Sequence, residues 1–181
     1  MFDQETKASR QGTARANFYQ EALRQAKEEK ERAAREKTVI RHQEMPWEDC
    51  PQGKLKHLVN EKMDTRLRSL DIYMQELPPG GRSGKHRHMA EEYIYVLEGK
   101  GYDIHWDVDV EIKDKYDLKV QEQGTRHDWE AGDAIWIPIN TAHQHFNADP
   151  AKPARFISST NRVYKLVGFN DLEQLEDAPS S

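Results

Sequence analysis

His86 and His88 stand two positions apart, and Glu92 follows four positions after the second. Side chains two apart on an extended strand point to the same face, so an extended backbone aims both imidazoles together. With a carboxylate in reach they make most of a divalent-metal site, and His143, far downstream, can complete it. Three imidazoles and one carboxylate suit Fe(II), Mn(II), Ni(II), Co(II) or Zn(II), and geometry decides among them more than affinity does. Zn(II) is the less attractive choice, because structural zinc sites close at four ligands and this set has no thiolate. A lone His-x-His is otherwise a solvated pair in a loop rich in Gly, Lys and Arg. The elements around it decide.

Those elements read as short strands. Lys54 to Asn60 is one candidate. Leu67 to Leu77 alternates, with Leu70, Ile72 and Met74 on one face and Asp71, Tyr73 and Gln75 on the other. Pro78-Pro79-Gly80-Gly81 stops it. Tyr93 to Leu97 is a strong strand, closed by Glu98-Gly99-Lys100-Gly101 as a hairpin-type turn, and Tyr102 to Trp106 begins the return. On strand parity Glu92 shares a face with Ile94 and Val96, so it points inward with them. Residues 107–130 are highly charged and read as an exposed hairpin or loop excursion. Ala134 to Ile137, His143 to Asn147, Arg155 to Ser159 and Val163 to Val167 are further strands. Thr38 to Ile40 reads as a short strand, 45–53 as a loop, and the acidic tail from Asn170 as a short helix. Many short strands punctuated by Gly and Pro argue an antiparallel barrel or jelly roll.

Ahead of the strands lies a different kind of segment. Residues 1–12 read as disordered, and Thr13 to Lys37 as a helix with Thr13 as N-cap. Its apolar stripe of Phe18, Tyr19, Ala22, Leu23 and Ala26 fades into charge, where Glu28–Arg32 and Glu31–Arg35 are i, i+4 pairs. It is either a solvated helix or an arm that docks on a neighbouring subunit. The expected organisation is an arm over 1–40, a β-barrel over 41–170 and a tail over 171–181.

The histidines sit in a longer pattern. Gly80, His86, His88, Glu92 and Gly99 match every fixed position of the first signature motif of the cupin family. Gly132, Pro138, His143 and Asn147 match the second, with Asn140 where glycine is usual. Asn tolerates the left-handed backbone such a turn needs. The stretch from about 65 to 168 therefore resembles a cupin, and the resemblance implies an all-β double-stranded β-helix that brings His86, His88, Glu92 and His143 together. A six-coordinate ion on that set would keep two open positions. His143-Gln144-His145-Phe146-Asn147, Glu98 to Gly101 and Gln75 are also similar to gentisate dioxygenase-type cupins. That likeness implies an oxidoreductase, a non-haem Fe(II) dioxygenase acting on a small hydroxylated aromatic, with dioxygen as co-substrate. The chain departs from that group in carrying Glu92 and in being a single cupin domain. The alternatives are a Mn(II)-dependent decarboxylase or isomerase and a non-enzymatic binding protein.

On this reading Glu92 is a fixed or labile ligand. His145, two residues beyond His143, is a catalytic base, a hydrogen-bonding partner, a spare ligand or a buried histidine without a role. Tyr73, Gln75, Trp136 and Arg68 are candidates to contact substrate, with Arg66 and Arg87 as further carboxylate binders. Formal net charge is -5, so no field favours nucleic acid or an anionic membrane. No apolar run spans a bilayer, and the single Cys50 excludes an intrachain disulfide framework, which fits a cytoplasmic chain. A homodimer or higher homo-oligomer would cover open strand edges.

Overall fold

The computed structural model describes residues 16–114, 116–169 and 171–180. The chain divides into two compact units, 1–36 and 37–181. In the first, α1 (Phe18–Ala33) starts after Asn17 without a side-chain cap, and none of its residues is buried. The stretch 1–12 and the expected cap Thr13 lie outside the described residues. The ion pairs differ from those expected: Arg24 meets Glu28 at 3.7 Å, Lys27 meets Glu31 at 4.0 Å, and Arg32 lies 3.6 Å from both Glu29 and Glu36. Most of these side chains are exposed, so each pair is worth a few tenths of a kcal/mol.

The second unit is two antiparallel sheets and a detached hairpin. The larger sheet contains β1 (Trp47–Cys50), β2 (Gly53–Val59), β3 (Leu70–Leu77), β5 (Glu92–Glu98), β10 (Ala134–Ile137) and β12 (Ala154–Asn161), in the order β1-β2-β3-β12-β5-β10. The smaller contains β4 (Lys85–Arg87), β6 (Lys100–Trp106), β9 (Thr125–Glu130), β11 (Ala142–Asn147) and β13 (Glu173–Glu176), in the order β13-β4-β11-β6-β9. β7 (Val108–Ile112) and β8 (Tyr116–Val120) pair only with each other. The charged excursion is thus a real hairpin, but its last part returns as β9.

One face of each sheet turns inward. Ile94, Val96 and Phe156 from the larger sheet pack with Trp129 from the smaller, joined by Leu77, Ile137 and Ala154. Each large apolar side chain buried there contributes roughly 1.5–3 kcal/mol. Glu92 shares the inward row of β5 with Ile94 and Val96, as parity requires. One end of the interior is therefore apolar and the other polar.

Several local expectations fail for tertiary reasons. Glu98 to Gly101 is no hairpin: β5 pairs with β10 and β12, whereas β6 pairs with β9 and β11. Gly99 carries the chain from one sheet to the other at φ 89°, and a Cβ there would lie 2.7 Å from that of Ala154. Residues 45–53 hold β1 rather than a plain loop. Thr38 to Ile40 forms no strand; its neighbour Lys37 makes a single bridge to Thr65. Val163 to Val167 has no sheet edge to join and becomes α2 (Val163–Leu166), its first N–H donating to Asn161 Oδ1 at 2.8 Å.

The tail forms β13 instead of a helix. The open edge of β4 receives it, and charge holds it there. Arg87, only 2% exposed, donates to Asp171 Oδ2 and Glu173 Oε2 at 2.9 Å and to Asn140 Oδ1 at 2.8 Å. Burial disfavours this cation, but the two carboxylates raise its pKa overall. Arg87→Met should lower stability by about 2 kcal/mol, a moderate figure because both carboxylates remain half-solvated. Hydrogen exchange should quicken in 173–176 and leave β5 protected; uniform exchange across both would contradict the clamp.

Candidate metal centre

Four elements converge on the polar end. β4 presents His86, the turn after it His88, β5 Glu92 and β11 His143. The backbone register places His143 opposite His86. Asn140, at φ 56°, makes the left-handed turn into β11, and its N–H donates to the His88 carbonyl at 3.1 Å. That contact ties the two histidine-bearing segments together. The donor atoms of His86, His88, Glu92 and His143 all lie within 4.8 Å of one another, and among the described residues no other group of His, Cys, Asp and Glu meets that condition.

The protonation pattern fits a cation. His88 Nδ1 lies 2.8 Å from the Ala90 carbonyl and His143 Nδ1 2.9 Å from that of Thr141. A carbonyl only accepts, so both Nδ1 atoms carry the proton and both Nε2 atoms turn a lone pair inward. Those Nε2 atoms lie 2.9 Å and 3.3 Å from Glu92 Oε2. Burial pushes the pKa values of His86 and His143 down, which keeps them neutral. Burial opposes charge on Glu92 too, but its contacts with His143 and His88 hold its carboxyl well below the usual range. Burial likewise disfavours charge on His88, yet Glu92 raises it. The buried Glu92 anion draws a proton toward His88 Nε2, a charge a divalent ion would supply instead, and His143 Nε2 is buried without a hydrogen bond. A divalent cation satisfies that set.

Glu92 has no exposed surface. Its Oε1 accepts from Ser158 Oγ at 2.5 Å and from Tyr73 Oη at 3.1 Å. Tyr73 also lines a cavity of about 410 Å³ with Leu55, His57, Val59 and Asp71.

His145 stands apart from the four. It is fully buried, its Nδ1 2.9 Å from Asp103 Oδ1, its ring against Phe156 at 4.9 Å. Asp103 also accepts from Trp129 Nε1 at 2.8 Å. Burial works against both charges, yet the pair draws the His145 pKa up and the Asp103 carboxyl well below the usual range. His105 faces the same interior, 6.4 Å from His143 between ring centroids, with His127 beyond it at 4.6 Å.

The remaining candidates fall elsewhere. Gln75 is buried and donates to the Gln52 carbonyl at 2.6 Å, a bond within the sheet scaffold. Trp136 is 61% exposed on the outer face of β10, opposite Tyr93, because Ile135 and Ile137 hold the inward positions. Arg66 and Arg68 are exposed in the segment before β3, and Arg87 holds the tail. Cys50 is half-buried, and burial pushes its thiol pKa up, away from nucleophilic use. Ser158 and Asp103 carry little signal in the sequence. Ser158 is signalled only as a polar residue in phase with Ala154 and Phe156. Asp103 is hidden, because Tyr102, Ile104 and Trp106 make the opposite face of β6 look like the core side.

Two facing sheets with three histidines and a glutamate at one end of the interior define a cupin. The chain belongs to the auxin binding protein family, a cupin family, whose profile matches residues 30–166. Similar folds occur in the polyketide cyclase RemF of Streptomyces resistomycificus (17% identity, TM-score 0.54, covering 77% of this chain and 85% of that one). They occur also in the Lactobacillus farciminis oxalate decarboxylase in its formate complex (17%, 0.54, covering 81% and 36%). A predicted oxalate decarboxylase of Thermotoga maritima matches at 20% identity with a TM-score of 0.50, covering 68% and 98%.

His143→Ala should abolish stoichiometric divalent-metal binding, whereas His145→Ala should keep it; equal loss in both, measured by elemental analysis, would contradict the division between them. Asp103 has a lowered native pKa. Its contribution is therefore present above the unfolded carboxyl value near ~4 and fades as pH falls below it. Asp103→Asn should cost about 3 kcal/mol at neutral pH, with less further loss on acidification than the parent shows. Denaturant titrations from pH 7 to 3 check this.

Proposed function

We propose that this chain is a metal-dependent enzyme acting on a small anionic or hydroxylated molecule, with His86, His88, Glu92 and His143 holding one divalent ion. The observation that carries the reading is the convergence of three imidazoles and one buried carboxylate, their donor atoms all within 4.8 Å of one another. When bound, such an ion polarises and orients an oxygen donor of the substrate. One carboxylate against a divalent charge leaves a net positive site in a water-poor interior, which favours an anionic group there. Asp103 beside Nδ1 favours the charged form of His145, which leaves its Nε2–H to donate to a substrate oxygen. Ile94, Ile137 and Phe156 border this polar end and exclude water.

Within that class a redox-neutral reaction, a decarboxylation or isomerisation, is the first reading, because Glu92 is held by two hydroxyls. A dioxygenase using Fe(II) is the second, supported by the His143 to Asn147 segment. The family's name points to auxin, so small aromatic carboxylates are the first compounds to offer. Fe(II)- and Mn(II)-loaded protein should convert a member of a carboxylate panel without consuming oxygen, and chelation should stop it. Stoichiometric oxygen uptake selects the dioxygenase. Tight binding without turnover selects a non-enzymatic binder.

A further inference from the structure

The interior contains a device the metal ligands alone do not require. Tyr73, Ser158 and Glu92 lie on three neighbouring strands of the larger sheet. Ser158 is the direct cross-strand partner of Tyr73, and Glu92 sits two residues along from it on the other side, opposite Thr160. All three point to the inner face. Ser158 has no exposed surface. The two hydroxyls donate to the same oxygen, Glu92 Oε1, while Oε2 alone faces His88 and His143.

We propose that Tyr73 and Ser158 are positioning residues that commit Glu92 to the metal through Oε2 only and prevent it from leaving. The proposal rests on the metal-centre reading above. Each hydroxyl bond to a charged acceptor is roughly twice as strong as a neutral one, so two of them hold the carboxylate plane. Chelation through both oxygens would require Oε1 to give up these donors. Departure would also strand a buried serine hydroxyl and move a charge to a new buried place. Glu92 is therefore a permanent one-oxygen ligand.

The substrate class follows. Were such an ion six-coordinate, the four protein donors would leave two positions. Those would admit one small molecule through one or two oxygens, such as a carboxylate or 2-hydroxycarboxylate. They would not admit a two-point aromatic diol together with dioxygen, which needs three. Tyr73 also lines the 410 Å³ cavity, so one side chain links that space to the ligand's orientation.

The test loads the full chain with Co(II) and compares the parent with Tyr73→Phe, Ser158→Ala and the double variant. It measures the visible Co(II) spectrum and the rate of release to excess chelator, with circular dichroism to confirm folding. The parent should take up one equivalent. The double variant should show an altered spectrum and release at least about tenfold faster, the usual scale for losing a group that orients a ligand. Tyr73→Phe, nearly isosteric, should fold as the parent and shift both readouts in the same direction by a smaller amount. Parent-like spectra and release in all folded variants would overturn the proposal. A parent that takes up no Co(II) would instead overturn the metal centre itself.

Discussion

A carboxylate with no exposed surface cannot remain charged in a protein interior unless something compensates it, and Glu92 is such a group. Everything at the polar end of the barrel is arranged around that charge. Two imidazoles face one of its oxygens and two hydroxyls face the other. The backbone carbonyls of Ala90 and Thr141 fix which imidazole nitrogens face it.

The sheets make this possible by splitting each inward row. On β5 the row passes from Glu92 to Ile94 and Val96, and on β11 from His143 to His145 and Asn147. Asn147 closes the far end, its Nδ2 donating to the carbonyls of Pro78 at 2.9 Å and Lys152 at 2.8 Å. A packed apolar layer therefore backs the site and keeps its geometry from relaxing. The second buried charge, Asp103, sits between the two regions and is compensated by His145 and Trp129. The tail adds a brace from outside, since β13 is bound to the strand that carries His86.

The barrel was legible in the sequence from alternation and turn residues, and the convergence of the four donors from the resemblance to the two cupin motifs. Alternation places Glu92 inward, and fixed spacing of Gly, Pro, His and Asn marks the two turns that bring the strands together. What was not legible depends on partners distant in the chain. Strand β13 exists because β4 has an open edge and Arg87 a charge to share, and neither is visible from residues 170–181. Gly99 looks like a hairpin turn because the sequence does not say that β5 and β6 belong to different sheets. Trp136 and Tyr73 are both aromatic in strand contexts, yet one faces solvent and the other Glu92; only register distinguishes them. Polar residues inside a barrel invert the usual sign of the pattern. On β3 the polar face, Tyr73 and Gln75, is the inner one, and Ile72 and Met74 lie outside.

The central claim is that this polar end is one metal site of four protein donors. Anomalous diffraction from crystals of the full chain grown with Mn(II) tests it most directly. The account predicts a single peak per chain, within coordination distance of His86, His88 and His143 and of one oxygen of Glu92. A peak bound elsewhere, or an ordered chain whose four donors surround no metal at saturating Mn(II), would contradict it.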